Sequence, residues 1–205
     1  MAKKIWIEKW YPRDEHIFNA FATCGALQKE DMQEYVKGEK RIKDYTRDGY
    51  IEKCTDIKTN TEYYKLTDKG RDLCRDKYDR EPVSFHSWRH ESGVRDMYFQ
   101  LDKDTRMKQM SEPELQLVID RDIEYRKQSD DATERERGYK MEQEYKSGKL
   151  SCPDFGVLKI NEQTREIEQA SFCESITPNY KDSEVQAKFN MASTYSGSLE
   201  TCYVS

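Results

Sequence analysis

The stretch GEKRIKDYTRDGYIEKCTDIKTNTEYYKLTDKG, Gly38 to Gly70, decides the fold. Its first part, Glu39 to Arg47, sets Lys40, Arg41, Lys43 and Arg47 around the apolar Ile42 and Tyr45, and Gly49 then supplies a helix stop. Tyr50 to Cys54, a polar turn from Thr55 to Thr61 that contains Asn60, and Glu62 to Leu66 follow as a hairpin with an exposed tip. Thr67 can cap a helix over Asp68 to Tyr78, with Leu73 on its inner face. Upstream, Asp14 to Ala22 turns Ile17, Phe18 and Phe21 inward, and Lys29 to Val36 adds a second short helix after a break at Gly25. The order is helix, helix, helix, hairpin, helix.

That order is the layout of a winged helix-turn-helix, and it makes double-stranded DNA the expected partner. Such a unit lays its third helix in the major groove, about 12 Å wide, while the hairpin tip reaches the neighbouring backbone or minor groove. Lys37, Lys40, Arg41, Lys43 and Arg47 are then the candidates for phosphates and base edges, with Lys53, Lys58 and Lys65 on the wing. Charge tempers the expectation. Residues 1–80 hold 18 Lys/Arg against 16 Asp/Glu, and Glu39, Asp44 and Asp48 sit among the basic residues of the helix. One copy should bind modestly and salt-sensitively, with a homodimer or a partner protein completing the grip. The same near-neutral balance admits a rival, a protein-docking adaptor that never touches DNA.

At 205 residues, with 35% hydrophobic and 37% charged side chains, the chain has material for one or two cored domains. No apolar run approaches the roughly 20 residues that cross a bilayer, and Met1 to Lys4 leads into Ile5-Trp6-Ile7 and then charge, which is no secretory segment. No membrane partner is expected, and a cytoplasmic location is. Six widely scattered cysteines without a CxxC pair are expected to be free thiols. Residues 81–205 hold 17 Lys/Arg against 24 Asp/Glu, so any nucleic-acid contact there runs through a local patch or a metal. The absence of GxGxxG, GxxxxGK[ST] and GxSxG removes support for nucleotide hydrolysis and serine-hydrolase chemistry.

A boundary is expected near residues 79–84, at Pro82. His86 to Leu101 reads as a helix with His90, Val94, Met97, Tyr98 and Leu101 on one stripe, and Glu114 to Ile119 fits either a strand or a helix start. Asp120 to Tyr145, with Gly138 as its one glycine, reads as a solvated helix or a mobile connector rather than core. Cys152 to Ile160 is a strand, Asn161 to Thr164 turns it, and Ile167 to Ile176 returns. Lys181 to Tyr195 is an amphipathic helix through Val185, Phe189 and Ala192, stopped by Gly197, and Leu199 to Val204 is a last strand. The division expected is residues 1–80, a linking segment 81–150, and a core 151–205.

Strand, strand, helix, strand, with Pro153-Asp154 on the first strand and Glu174 on the second, resembles the core of the PD-(D/E)xK nuclease superfamily. In that chemistry two carboxylates hold Mg²⁺ and a lysine two residues beyond the glutamate supports the charge near the metal. Here that position is Ile176, so the third member is missing unless Lys159 or Lys181 reaches in. The whole order resembles the replication-relaxation family of plasmids, phages and integrative elements. It is carried by Leu66-Thr67-Asp68-Lys69-Gly70, a helix opening with His86 or His90, Pro153-Asp154, Glu174-x-x-Thr177, and Tyr180 with Lys181 at the next helix. The resemblance spans residues 14–205. It implies association with plasmid replication and with the relaxosome, whose proteins become possible partners. An acidic insertion at 120–150 and the end of the chain at Ser205, where the core sheet is expected to continue, depart from it.

The resulting expectation is a mixed α+β or α/β protein, a winged helix followed by a small PD-(D/E)xK-like domain that has lost catalysis and needs no cofactor. Its function would be that of a DNA-binding accessory protein of a mobile element, in replication, transfer or transcriptional control. The enzymatic alternative is a Mg²⁺-dependent endonuclease that uses Asp154 and Glu174, with Glu91 as a third metal ligand. His86 and His90 share a helical face, but His16 is the only other histidine and no cysteine pair stands nearby, which favours an interface or capping role over a metal site. Trp6, Trp10 and Tyr11, among Lys3, Lys4 and Lys9, are expected to pack an N-terminal arm onto the first domain, with stacking on bases or on a partner as the other use.

Overall fold

The computed structural model of the chain describes residues 5–161 and 167–204. It is a mixed α+β protein that divides into two compact units, Met1–Lys108 and Gln109–Ser205. The division falls at 108, where the sequence suggests 80 and 150. The reason is packing: the segment after residue 80 is tied to the N-terminal unit by Trp88 stacked on Tyr63 at 5.0 Å, Arg95 on Asp31 at 2.7 Å, and Arg106 on Glu34 at 2.7 Å.

The N-terminal unit runs α1 (Pro12–Cys24), β1 (Ala26–Leu27), α2 (Lys29–Gln33), α3 (Lys40–Arg47), β2 (Ile51–Asp56), β3 (Thr61–Leu66), α4 (Asp68–Tyr78), α5 (Trp88–Gln100) and α6 (Lys103–Arg106). Pro12 opens α1 where its missing N–H costs nothing, and Asp14 accepts the Tyr11 N–H at 2.7 Å to cap it. Gly25 ends α1 with φ +71 and lies so close to Val83 and Glu91 that a Cβ would sit 3.2–3.3 Å from them. The three strands form an antiparallel sheet in the order β1-β3-β2, with Ile51 opposite Leu66 and Asp56 opposite Thr61. On α4 the buried face is Gly70 and Cys74, with Leu73 only half-buried beside it.

The C-terminal unit runs β4 (Met110–Ser111), α7 (Glu112–Lys127), α8 (Ala132–Lys146), β5 (Phe155–Ile160), β6 (Ile167–Ile176), α9 (Asp182–Thr194) and β7 (Ser198–Tyr203). Its sheet has the order β4-β5-β6-β7. Pairs β4/β5 and β5/β6 are antiparallel, and β6/β7 is parallel across the α9 crossover. The turn expected at Asn161 to Thr164 lies, beyond Asn161, outside the described residues. Glu114 to Ile119 is helical, part of α7, whose start is fixed by a capping box between Ser111 and Glu114.

The expected solvated connector is instead an α7–α8 hairpin that forms one wall of the core. Ile119, Ile123 and Met141 are buried with Leu115, Phe172 and Met191. Charge enters this core as a pair: Arg126 binds Asp122 at 2.9 Å and also reaches Glu134, and the Tyr195 hydroxyl donates to Asp122 at 3.1 Å. No helix of the described residues is long and apolar enough to cross a membrane, and none of the six cysteines is in a disulfide.

Candidate functional site

Two carboxylates meet at the junction of β5 and β6. Phe155 pairs with Cys173 across the strands, which brings Asp154, just before β5, beside Glu174. Backbone amides fix both: the Asp154 N–H donates to Glu174 Oε2 at 2.9 Å, and the N–H of Ser175, the residue after Glu174, donates to Asp154 Oδ2 at 2.7 Å. Glu174 is 0% exposed and Asp154 7%.

Such a pair needs a cation, and α9 supplies one. Lys188 is 7% exposed, with Nζ 3.2 Å from Glu174 Oε1 and a hydrogen bond to the Cys152 carbonyl. The position two residues beyond Glu174 is Ile176, as the sequence states, yet the ammonium expected there arrives from the helix that follows. Lys159, the first alternative, is instead exposed and paired with Glu168 at 3.0 Å, and Lys181, the second, is an exposed residue at the start of α9.

Burial pushes the Glu174 carboxyl up to about 7, and the Asp154 charge adds to the rise, while Lys188 and the nearby Tyr180 hydroxyl oppose it. Burial also works against the Lys188 charge, but Glu174, Asp154 and Glu112 together hold its pKa above the usual lysine value. The Tyr180 hydroxyl is pushed well up, first by burial and then by Glu174 and Asp154, so it stays protonated and able to donate. Lys188, Tyr180 and Glu112 therefore join the two expected carboxylates. Tyr180 enters the sequence reading only through the resemblance, at the entry to α9, while Lys188 and Glu112 sit on helices whose sequence carries no short motif pointing at the strands.

The donor set suits a hard cation. Glu174 Oε1 is buried without an aligned hydrogen bond, and the two carboxylates offer oxygen ligands. Among the described residues no group of three or more His, Cys, Asp or Glu could hold a metal ion, so water and phosphate oxygens would fill the remaining positions, as Mg²⁺ commonly requires. Glu91, the expected third ligand, belongs to the N-terminal unit. Its oxygens take the His86 N–H at 2.7 Å and His90 Nδ1 at 3.0 Å.

The expected DNA contacts are distributed otherwise than their charges suggest. Arg41 turns inward: its guanidinium, 14% exposed, binds Asp14 at 2.5 and 3.0 Å and donates to the Lys9 carbonyl at 2.8 Å, while the Tyr45 hydroxyl donates to the same carboxylate. This corrects its assignment to DNA, since releasing it would leave Asp14 buried and unpaired. Lys43 pairs with Glu39 at 3.0 Å, Arg47 with Asp44 at 3.8 Å, Lys53 with Glu62 at 2.5 Å, and Lys65 with Glu52 at 3.2 Å. Lys37, Lys40 and Lys58 are exposed. A groove of about 750 Å³ between α3 and the hairpin holds Lys29, Lys43, Arg47 and Lys53 together with Glu30, Glu39 and Glu62.

No protein-family model, curated protein or solved structure matches the chain.

Proposed function

We propose that the chain is a DNA-processing protein of a mobile element: an N-terminal winged helix that engages DNA, and a C-terminal PD-(D/E)xK-like unit that hydrolyses phosphodiesters with Mg²⁺. One observation carries this reading. Lys188 stands 3.2 Å from Glu174, beside Asp154, and so completes the acid, acid, lysine set that the linear motif lacks. The winged-helix half is supported by the order α1, α2, α3, hairpin, and by the antiparallel β1-β3-β2 sheet. The mobile-element setting is supported by the resemblance to the replication-relaxation family.

When bound, Mg²⁺ polarises the scissile phosphate and lowers the pKa of the attacking water. Asp154 and Glu174 would hold the ion, and a backbone N–H fixes one oxygen of each. Lys188 would offset the negative charge that builds on the phosphate as water adds and the P–O bond to the leaving oxygen breaks. The proton lost by water ends on that leaving oxygen through solvent.

The deep burial of Asp154, Glu174 and Lys188 favours a second reading, in which the triad is an inert clasp joining β5, β6 and α9 in a domain that only binds. A denaturing gel of labelled duplex incubated with the protein in Mg²⁺ or EDTA separates the two. Cleavage in Mg²⁺ alone, abolished by Lys188→Met and by Asp154→Asn in proteins that still melt cooperatively, is the expected result. Intact DNA with the wild-type protein in both Mg²⁺ and Mn²⁺ would overturn the hydrolase.

A further inference from the structure

The segment before α1 is anchored by its backbone. Asp48, at the end of α3, accepts the Trp6 N–H at 3.0 Å and the Ile7 N–H at 2.7 Å, and Arg41 holds the Lys9 carbonyl at 2.8 Å. Residues 5–11 thereby wall a cleft of about 510 Å³ against the start of α3.

Two properties set this cleft apart. Its aromatic rings face outward: Trp6 and Tyr11 are each 40% exposed, with Arg47 4.6 Å over Trp6 and Arg13 4.8 Å over Tyr11. Trp10, between them in sequence, turns inward and stacks on Tyr45 at 6.4 Å. Its cations are also in excess. Lys9, Arg13, Lys37, Lys40 and Arg41 line it against Glu8 and Asp44, and the first four form no ion pair among the described residues. On the α3–hairpin side, Lys29, Lys43, Lys53 and Lys65 each face a glutamate.

We infer that the cleft between the N-terminal arm and α3 binds single-stranded DNA. In a duplex the base faces are covered by stacking, and outward rings have nothing to receive. In a single strand each base offers a face to an aromatic ring, while neighbouring cations follow the phosphates. Trp6 and Tyr11 stay 40% exposed with Arg47 beside the first and Lys9, Arg13 and Arg41 beside the second, so a base that stacks there meets cations suited to its phosphates. The inference rests on the nucleic-acid reading above and adds a strand-selective site to it.

The test measures anisotropy of the full chain, in EDTA at low salt, with a labelled oligothymidine and with a blunt duplex of the same length. Trp6→Ala/Tyr11→Ala should weaken oligothymidine binding at least about tenfold and leave duplex binding unchanged, because the arm is held through backbone groups. Lys37→Gln/Lys40→Gln should lower the slope of log K against log salt for the single strand by about 1.4. Lys53→Gln/Lys58→Gln on the hairpin should leave oligothymidine binding intact. Unchanged oligothymidine binding in the aromatic variant, or equal loss on both DNAs, overturns the inference while Mg²⁺-dependent cleavage leaves the preceding reading standing. Failure of the wild-type protein to bind either DNA overturns both.

Discussion

At the scale of single residues, charge tells what a side chain can do, and burial tells what it does. Glu174 shows this most directly, because its carboxyl is raised to about 7 chiefly by burial. A carboxyl whose folded pKa stands above its unfolded value binds its proton more tightly in the folded chain. Its stabilising contribution is therefore full below the ordinary value of 4.5 and is lost as pH rises through about 7. Urea unfolding in EDTA, compared between the wild-type protein and Glu174→Gln, isolates this from all other titrations. The wild-type midpoint should fall relative to the variant between about pH 5 and about pH 8. A flat difference across that window would mean that Glu174 titrates as a solvated carboxyl and that the pair is not desolvated. Arg41 makes the complementary point: its place among basic residues suggests DNA, while the buried Asp14 beneath it commits it to the fold.

At the scale of elements, most boundaries are legible in the sequence and the rotational phase of helices is not. The α4 bounds, read from the Thr67 cap, and the β6 bounds, Ile167 to Ile176, agree with the structure residue for residue. Helix α9 is also found, but its apolar stripe is read through Val185, Phe189 and Ala192, whereas the buried face is Ala187, Lys188, Met191 and Ala192, so of the stripe Ala192 alone lies on that face. Phe189 is instead among the exposed large hydrophobics. That rotation hides Lys188, since a lysine on a helix is assigned to solvent unless its counter-charges are known. The α7–α8 hairpin is hidden for a related reason. Its few apolar residues are diluted by charges, of which Asp122 and Arg126 are buried as a pair. Gly138 marks the crossing: a Cβ there would lie 2.8 Å from the Lys127 backbone nitrogen and 2.9 Å from the Arg126 Cβ. On a solvated helix Gly138→Ala would stabilise by about 1 kcal/mol through helix propensity. Against backbone in α7 it should instead destabilise by about 1–3 kcal/mol, as overpacking does. The sign of the change in urea midpoint decides between a packed hairpin and a solvated one.

At the scale of the whole molecule, the two units differ in charge. Residues 1–108 hold 23 Lys/Arg against 21 Asp/Glu, and residues 109–205 hold 12 against 19. On the proposed reading, a polyanion drawn to the first unit would be repelled on average by the second, so one DNA molecule would engage both only if the acid site's local balance permits it. At that site Asp154 and Glu174 stand against Lys188, an excess of negative charge unless a divalent cation offsets it. The consequence can be measured without cleavage. In EDTA, Asp154→Asn removes one negative charge while keeping an oxygen for the Ser175 N–H, and it should tighten duplex binding by about two- to fivefold, a change on the order of 0.5–1 kcal/mol. Lys188→Met removes the cation and should weaken binding by a similar factor. Raising the salt concentration should shrink both effects together, because phosphate repulsion and attraction are screened alike. If both variants bind DNA with the wild-type affinity in EDTA, the phosphate backbone does not reach the acid pair, and DNA is held by the N-terminal unit alone.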